Sequence, residues 1–374
     1  MKVYDVSNFN YQITPLQNYQ ILVNGVLIID KSPGLTSHDV VQRVRRNLGQ
    51  HSVGHLGTLD PMATGVLPLV IGSFTRLAQF YLSSEKTYEG TIRFGFSTDT
   101  YDAEGEPTSE PINPVLSREE VEGAAGKFRG LIPQTPPPFS AKKIKGVPAY
   151  KLARKQQEVR LEPVQVEIKE FDILSFDAGR AQFRARVGSG TYMRSIAHDM
   201  GQALGCGAHL ESLRRTSVAE FTLAEAHTLE ELAAAAGKTD LRGAGAPTRK
   251  TTGQRDATED VLASLQGESP VGTTESGPPV QLAGTSSQGD SRPAGSLEPL
   301  HELFVHPRKL LPAFPSVTAD ELATAHIRSG RTVNLPELSR ARQIKVFSGQ
   351  RDLIAIATRI AGTLFHPKIV LPAG

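Results

Sequence analysis

Gly54-His55-Leu56-Gly57-Thr58-Leu59-Asp60-Pro61-Met62-Ala63-Thr64-Gly65, running on into Val66-Leu67-Pro68-Leu69-Val70-Ile71-Gly72, is the stretch on which the reading of this 374-residue chain turns. Its second half is a short apolar run closed by glycine, which predicts a strand buried on both faces. Its first half cannot be core, because glycines, a histidine, two threonines and an Asp-Pro pair crowd one connection. Asp60 precedes a proline and is biased out of the helical region. Gly57 and Gly65 allow the backbone to bend sharply and to approach something closely. A carboxylate is thus held on a stiff loop beside a buried strand, with a histidine and hydroxyls around it, which is where chemistry usually sits. An aspartate that merely caps a turn is the competing reading.

Composition bounds the rest. The length suits two to three domains, and 39% hydrophobic residues permit a sizeable core, while 34 Gly and 25 Pro announce long irregular segments. One cysteine, Cys206, excludes an intramolecular disulfide framework and fits a reducing, cytoplasmic setting. Cys and His are not clustered at zinc spacing, so no metal is expected. The opening Met1-Lys2-Val3-Tyr4-Asp5 lacks an apolar signal region, and no apolar run is long enough for a membrane helix. Net charge is only +2, but residues 142–160 concentrate Lys142, Lys143, Lys145, Lys151, Arg154, Lys155 and Arg160 against Glu158. Residues 301–374 carry ten Lys or Arg against five Asp or Glu. Such clusters suit a phosphate backbone, although a solvated face is the commoner use.

Taken in order, residues 1–19 show no clear period. Gly25 to Lys31 predicts a buried strand ending in charge, and Ser32-Pro33-Gly34 a turn. Thr36 or Ser37 caps a helix with Val40, Val44 and Leu48 at helical spacing and Gly49 as its stop. Phe74 to Leu82 reads as a short helix. Tyr88, Gly90, Ile92 and Phe94 alternate with Thr87, Glu89, Thr91 and Arg93, as in a strand. Asp99 and Asp102, in the polar loop after it, read as loop caps rather than metal ligands. A capped helix is expected over 117–130, and a proline-dense segment from Pro133 to Ser140 leads into the basic run, where Tyr150 sits among cations. Val164–Phe176 and Ala181–Val187 predict an antiparallel pair.

Thr191 is expected to cap a helix whose buried stripe is Tyr192, Ile196, Met200 and Leu204. Arg194 then falls off that stripe in the first turn, where a cation opposes the helix dipole and wants a carboxylate partner. Leu213-Arg214-Arg215 reads as packing plus a backbone-facing basic pair. From 236 to 300 no aromatic occurs and small polar residues dominate, so a disordered linker is expected. Ile344–Phe347, Leu353–Ala357 and Leu364–Leu371 predict a short β-meander, the look of a small barrel with a basic exterior.

The pattern Gly-His-x-Gly-x-Leu-Asp-Pro-x-Ala-Thr-Gly-x-Leu-Pro resembles the catalytic signature of the TruB-type pseudouridine synthases, and the similarity continues from about Asn24 to about Phe221. The resemblance implies an α+β fold with a mixed, mainly antiparallel central sheet flanked by helices. It also implies a small C-terminal, β-rich, PUA-like RNA-binding domain. The domains then run 1–19 (unassigned extension), 20–235 (catalytic), 236–300 (linker) and 301–374 (PUA-like). The implied activity is isomerisation of the T-loop uridine of tRNA (position 55) to pseudouridine, on a flipped-out nucleotide, without cofactor or metal. A monomer that grips the tRNA T-arm in the cytoplasm is expected.

The same resemblance assigns roles. Asp60 maps onto the nucleophile, Tyr88 of Lys86-Thr87-Tyr88 onto the residue lying against the base, and Arg194 of Gly-Thr-Tyr-x-Arg onto the arginine that pairs with the aspartate. His55 would brace the space left by the flipped base. Gly57, Thr58, Leu59, Lys31 and Tyr192 complete the implied substrate site. Around Lys31 the sequence departs from the pattern, with Lys-Ser-Pro-Gly in place of Lys-Pro-x-Gly. A non-catalytic RNA-binding or RNA-folding protein is the alternative, but it leaves Asp60, Tyr88 and Arg194 without a purpose. A glycoside hydrolase would need two cooperating carboxylates where the signature supplies one.

Overall fold

The first strand, β1 (Gly25–Lys31), is apolar on both sides because something packs on each. Leu27 and Ile29 enter one cluster of buried side chains, Val26 and Ile28 another, as the two-residue repeat of a strand requires. The computed structural model describes residues 23–140, 142–144, 146–149, 152, 155, 161–237 and 298–372. The expected extension 1–19, nearly all of the expected linker, and Tyr150 with most of the basic run lie outside the described residues.

The chain continues through α1 (Ser37–Leu48), β2 (Val53–His55), β3 (Thr64–Ile71), a 3₁₀ helix Gly72–Phe80 and β4 (Lys86–Phe94). Next come α2 (Arg118–Gly126), β5 (Gly130–Gln134), the two-residue β6 (Lys143–Ile144) and β7 (Val147–Pro148), then β8 (Val164–Asp177) and β9 (Arg180–Val187). α3 (Met193–Ala203), β10 (Ala208–Val218), β11 (Phe221–Thr222) and α4 (Leu229–Ala235) follow. After α5 (Glu298–Glu302) the chain forms β12 (Ser316–Ala319), α6 (Glu321–Arg328), β13 (Val333–Asn334), β14 (Gln343–Ser348), β15 (Asp352–Ala361) and β16 (Leu364–Val370).

Nine strands build the first sheet in the order β1-β3-β10-β4-β9-β8-β5, with β2 beside β3 and β11 beside β10. Every pairing in it is antiparallel except β3 with β10, so the expected mixed, mainly antiparallel sheet is present. The parallel contact is tight. Gly65 lies opposite Arg215, and a Cβ built on Gly65 would fall 2.2 Å from the Arg215 carbonyl oxygen. Its φ of 101° is also unsuited to a side chain, so two separate constraints require glycine there. The predicted pair β8–β9 closes through Ala178 and Gly179, both left-handed, in the two-residue turn that suits strand twist.

α1 starts where the sequence places it. The Thr36 hydroxyl accepts from Asp39 N (3.0 Å) and the Asp39 carboxylate accepts from Thr36 N (2.9 Å), while Gly49 ends the helix in the left-handed region. Other expectations shift. The segment expected as a helix over Phe74–Leu82 is a 3₁₀ helix beginning at Gly72, and the helix expected over 117–130 stops at Gly126 before β5. The cap of α3 is Tyr192 rather than Thr191, whose hydroxyl donates instead to the Gly188 carbonyl (3.0 Å).

The second sheet runs β12-β14-β15-β16-β13, and β14–β16 form the predicted meander. No pairing among the described residues closes it into the expected barrel. Nor does it stand apart. Val305 N donates to Val26 O (2.8 Å), and Phe304 bridges to Leu27. Leu300 is buried in the first core, so helical structure resumes inside the interval expected to be linker. Phe347, Leu353, Ile356 and Ile369 share one cluster with Phe74, Leu77, Tyr81 and Phe221. The Tyr81 hydroxyl donates to Glu220 (2.7 Å), which also accepts from Leu311 N (2.8 Å).

Removing residues 301–374 therefore strips one face of the first sheet. The remainder is expected to aggregate or to melt more than about 10 °C lower by circular dichroism. An unchanged melting temperature would show the two sheets to be independent.

Candidate active site

The Asp60 loop is built by groups that grip its backbone. Ser37, at the start of α1, accepts from Leu59 N (2.8 Å) and donates to Leu59 O (3.2 Å), and the Leu59 side chain is buried. The fully buried Arg215 of β10 donates from Nη2 to Gly57 O (2.9 Å), from Nη1 to Thr58 O (3.2 Å) and from Nε to Val66 O (2.8 Å). Lys31, also fully buried, donates to the carbonyls of Ser32 (3.0 Å), Leu35 (2.7 Å) and Pro61 (3.1 Å). Pro61 O accepts in addition from Gly34 N (2.9 Å). A turn bond from Ala63 N to Asp60 O (3.1 Å) closes the loop.

Two sequence-level expectations are corrected here. Lys31 does not line the substrate cavity; its ammonium is spent on three carbonyls beneath the loop. The basic pair splits, with Arg214 forking onto Asp30 (2.7 and 3.1 Å) and Arg215 serving as an internal brace. Burial lowers Lys31 from 10.5 to about 8, against the pull of the Asp60 charge.

Arg194 is buried, contrary to the helical stripe that left it outside. Its Nη2 donates to Asp60 Oδ1 (3.0 Å) and to Phe139 O (3.1 Å), and its Nη1 donates to Thr100 O (3.1 Å). Nε lies 2.9 Å from Asp60 Oδ2 as a charge contact without hydrogen-bond alignment. A second carboxylate, Asp102, stands 3.5 Å from Nη1 and is itself buried. Its Oδ1 accepts from Thr100 Oγ1 (2.6 Å) and Glu104 N (3.1 Å), so it caps the loop, as expected, and also faces the arginine. The two anions and two carbonyls offset the unfavourable position of a cation at the start of α3.

Above this ion cluster lies a cavity of about 550 Å³, within the ~300–1,000 Å³ range of small-molecule sites. Asp60, Tyr88, His55, Gly57, Thr58, Leu59, Tyr192 and Arg194 all line it. The Asp60 side chain keeps 34% of its surface exposed, against 6% for Arg194. Tyr88 sits at the start of β4, 7% exposed. Gly57 N donates to His55 Nδ1 (3.3 Å), which requires that ring nitrogen to be unprotonated. Burial raises the Tyr192 phenol. The wall also includes Lys86, Phe139, Ser140 and Leu213, which sequence reasoning did not select. Lys86 is lowered to about 8 by burial and by Arg215, and its Nζ donates to Ser84 O (2.8 Å). Phe139 is held there because Gln134 clasps both backbone groups of Tyr192 (2.8 and 3.0 Å) and Ser195 Oγ donates to Thr135 O (2.8 Å). Its only signal was the proline-dense segment around it. A half-exposed carboxylate gripped from behind, facing an aromatic and an apolar wall, can act on an electron-poor carbon of a bound ring system. Among the described residues no cluster of His, Cys, Asp and Glu is placed to hold a metal ion.

Comparison with known proteins agrees in extent and in fold. The model for the TruB family pseudouridylate synthase N-terminal domain matches residues 45–193, and that for the tRNA pseudouridylate synthase B C-terminal domain matches 194–246. A tRNA pseudouridine synthase B of Solibacter usitatus is 44% identical over 93% of this chain and all of its own length. One from Aquifex aeolicus is 46% identical over 56% of this chain and 73% of its own. The solved structure of a Cbf5-Nop10-Gar1 complex shares the fold, with a TM-score of 0.56 at 21% identity over 91% of this chain and 79% of that one.

The Arg215 brace makes a measurable demand on stability. Arg215→Met keeps the volume but leaves three buried carbonyls without donors, and is expected to cost about 3 kcal/mol or more. Urea unfolding checks this; a midpoint equal to that of the parent would mean the carbonyls find other partners.

Proposed function

The chain belongs to the TruB family of pseudouridylate synthases, and we propose that it isomerises the T-loop uridine of tRNA with Asp60 as the group acting at C1′. The observation that carries this reading is the Arg194 grip on a half-exposed Asp60 at the floor of a cavity walled by Tyr88. In the reaction the N1–C1′ bond breaks, its electron pair leaves with the uracil, and the electron-poor C1′ is stabilised by the Asp60 carboxylate. The uracil turns, C5 bonds to C1′, the C5 proton departs and N1 is reprotonated. Atoms and electrons balance within the substrate and water, so the overall chemistry calls for neither cofactor nor metal.

Each remaining residue takes a part suited to its place. Tyr88 packs against the base and is within its reach for proton movement. Arg194 keeps the carboxylate ionised and aimed, with Asp102 and the two carbonyls holding the guanidinium in turn. The target base must leave a folded loop, at a cost of a few kcal/mol; His55, on the cavity rim, braces the vacated stack. Gly57, Thr58 and Leu59 shape the floor and Tyr192 the side. Residues 301–374 act as the PUA-like RNA-binding part, whose cations meet the tRNA backbone. The reading takes the protein to act on tRNA in the cytoplasm as a monomer, supported by the fact that every residue given a role at the site comes from one chain.

Tritium release from a tRNA transcript labelled at uridine C5 tests the reading, with release confined to the T-loop uridine as the expected result. Asp60→Asn should abolish that release while tRNA affinity stays within about threefold, since phosphate contacts carry most of the binding. Turnover near the parent rate would remove Asp60 from the chemistry. Arg194→Lys loses the planar fork and should slow single turnover about 100-fold. A near-parental rate for that variant would break the pairing.

A further inference from the structure

Thr100 and Asp102, which both face Arg194, flank a residue with an unusual backbone. Tyr101 has a φ of 65°, a left-handed conformation that a bulky side chain avoids. This kink lets the Thr100 carbonyl and the Asp102 carboxylate reach the same guanidinium from neighbouring positions. Backbone bonds tie the kink to β10, with Leu210 N donating to Tyr101 O and Ala103 N to Leu210 O (both 3.0 Å). They fix where the loop lies but do not link it to α3, the helix that carries Arg194.

Beside Arg194 itself, which reaches the kink from α3, that link is made by rings. Tyr101 stacks on His198 with centroids 3.8 Å apart and planes 10° from parallel. His198 lies four residues after Arg194 on α3, so the two side chains share a face of the helix. Its Nδ1 is buried and has no hydrogen-bond partner, so stacking is the contact that engages the ring. Burial lowers the His198 imidazolium, and burial with the Asp199 charge raises the Tyr101 phenol, each favouring the neutral ring.

We infer that the Tyr101–His198 stack is a positioning device for the reaction: it clamps the Thr100–Asp102 kink onto α3 and thereby sets the aim of Arg194 at Asp60. Neither Tyr101 nor His198 lines the cavity; they act through Arg194. The proposal rests on the Asp60–Arg194 reading, which Asp60→Asn tests separately. Loss of the clamp lets the guanidinium turn between its carbonyl and carboxylate partners, and small misalignments of this kind are costly in rate rather than in affinity.

The test is a double-mutant cycle on single-turnover pseudouridine formation in a tRNA transcript. Tyr101→Ala should slow the step about tenfold with tRNA affinity unchanged within about twofold, and Tyr101→Phe, which keeps the ring, should restore the rate. In an Arg194→Lys background, Tyr101→Ala should add less than about a twofold loss, because the group it positions is gone. His198→Ala should give the same pattern, and it carries the cycle alone if Tyr101→Ala does not fold. Equal slowing in both backgrounds, or a fall in affinity with the rate intact, would overturn the inference.

Discussion

Two buried cations that meet backbone carbonyls instead of carboxylates are what the catalytic loop hangs on. Arg215 reaches from β10 to Gly57, Thr58 and Val66, and Lys31 from the end of β1 to Ser32, Leu35 and Pro61. A loop with three glycines and an Asp-Pro step has little side-chain packing of its own to hold it. Its carbonyls, turned inward by the bends, would be buried acceptors without donors. Each cation answers several of them at once, and the carbonyl dipoles offset part of the desolvation. The same arrangement lies at the one parallel pairing of the first sheet, β3 with β10. The Gly65–Arg215 contact needs both backbones within van der Waals reach, and the same residue that crowds Gly65 sends its side chain under the loop.

With the loop fixed from below, Asp60 needs only to be fixed from the side, and Arg194 does that at some expense. It sits at the start of a helix, where the dipole disfavours it, and it is almost fully desolvated. Three separate segments supply its compensation: the signature loop, the 100–102 kink and Phe139, the last held in place as Gln134 clasps the entry to α3. What sets the pair apart is its asymmetry: Arg194 is 6% exposed while a third of the Asp60 side-chain surface opens to the cavity. With arginine sealed and aspartate presented, the carboxylate is the partner that anything bound in the cavity would meet.

How much of this was legible in the sequence depended on whether local rules applied. The capping box of α1, the two-sided burial of β1 and β3 and the β8–β9 pair all follow from short-range chemistry, and each appears where it was expected. Arg194 was misplaced because a helical stripe counts only apolar residues as buried, whereas a guanidinium with four acceptors enters the interior equally well. Lys31 in the implied substrate site and Arg215 in a basic pair are expectations that fail for a related reason: the carbonyls that take these cations include ones 30 and 158 positions away in sequence. Asp102 was read as a loop cap, which it is; its second oxygen faces a partner that only the folded chain brings near.

The C-terminal sheet follows the same logic at larger scale. Its meander was visible as alternating apolar runs, but its union with the first sheet was not, because each side of that joint looks locally like an ordinary buried face. Tyr81 shows what the union means for the site. Its ring lines the cavity while its hydroxyl is fixed by Glu220, which also holds the backbone of Leu311 at the threshold of the second sheet. Burial and the Glu220 charge push that phenol up, which favours the protonated hydroxyl that donates to Glu220. The C-terminal sheet is thus bonded to a wall of the cavity rather than tethered at a distance. Leu311, Glu220 and Tyr81 form one hydrogen-bonded chain from the threshold of the C-terminal sheet to the side of the pocket that holds Asp60.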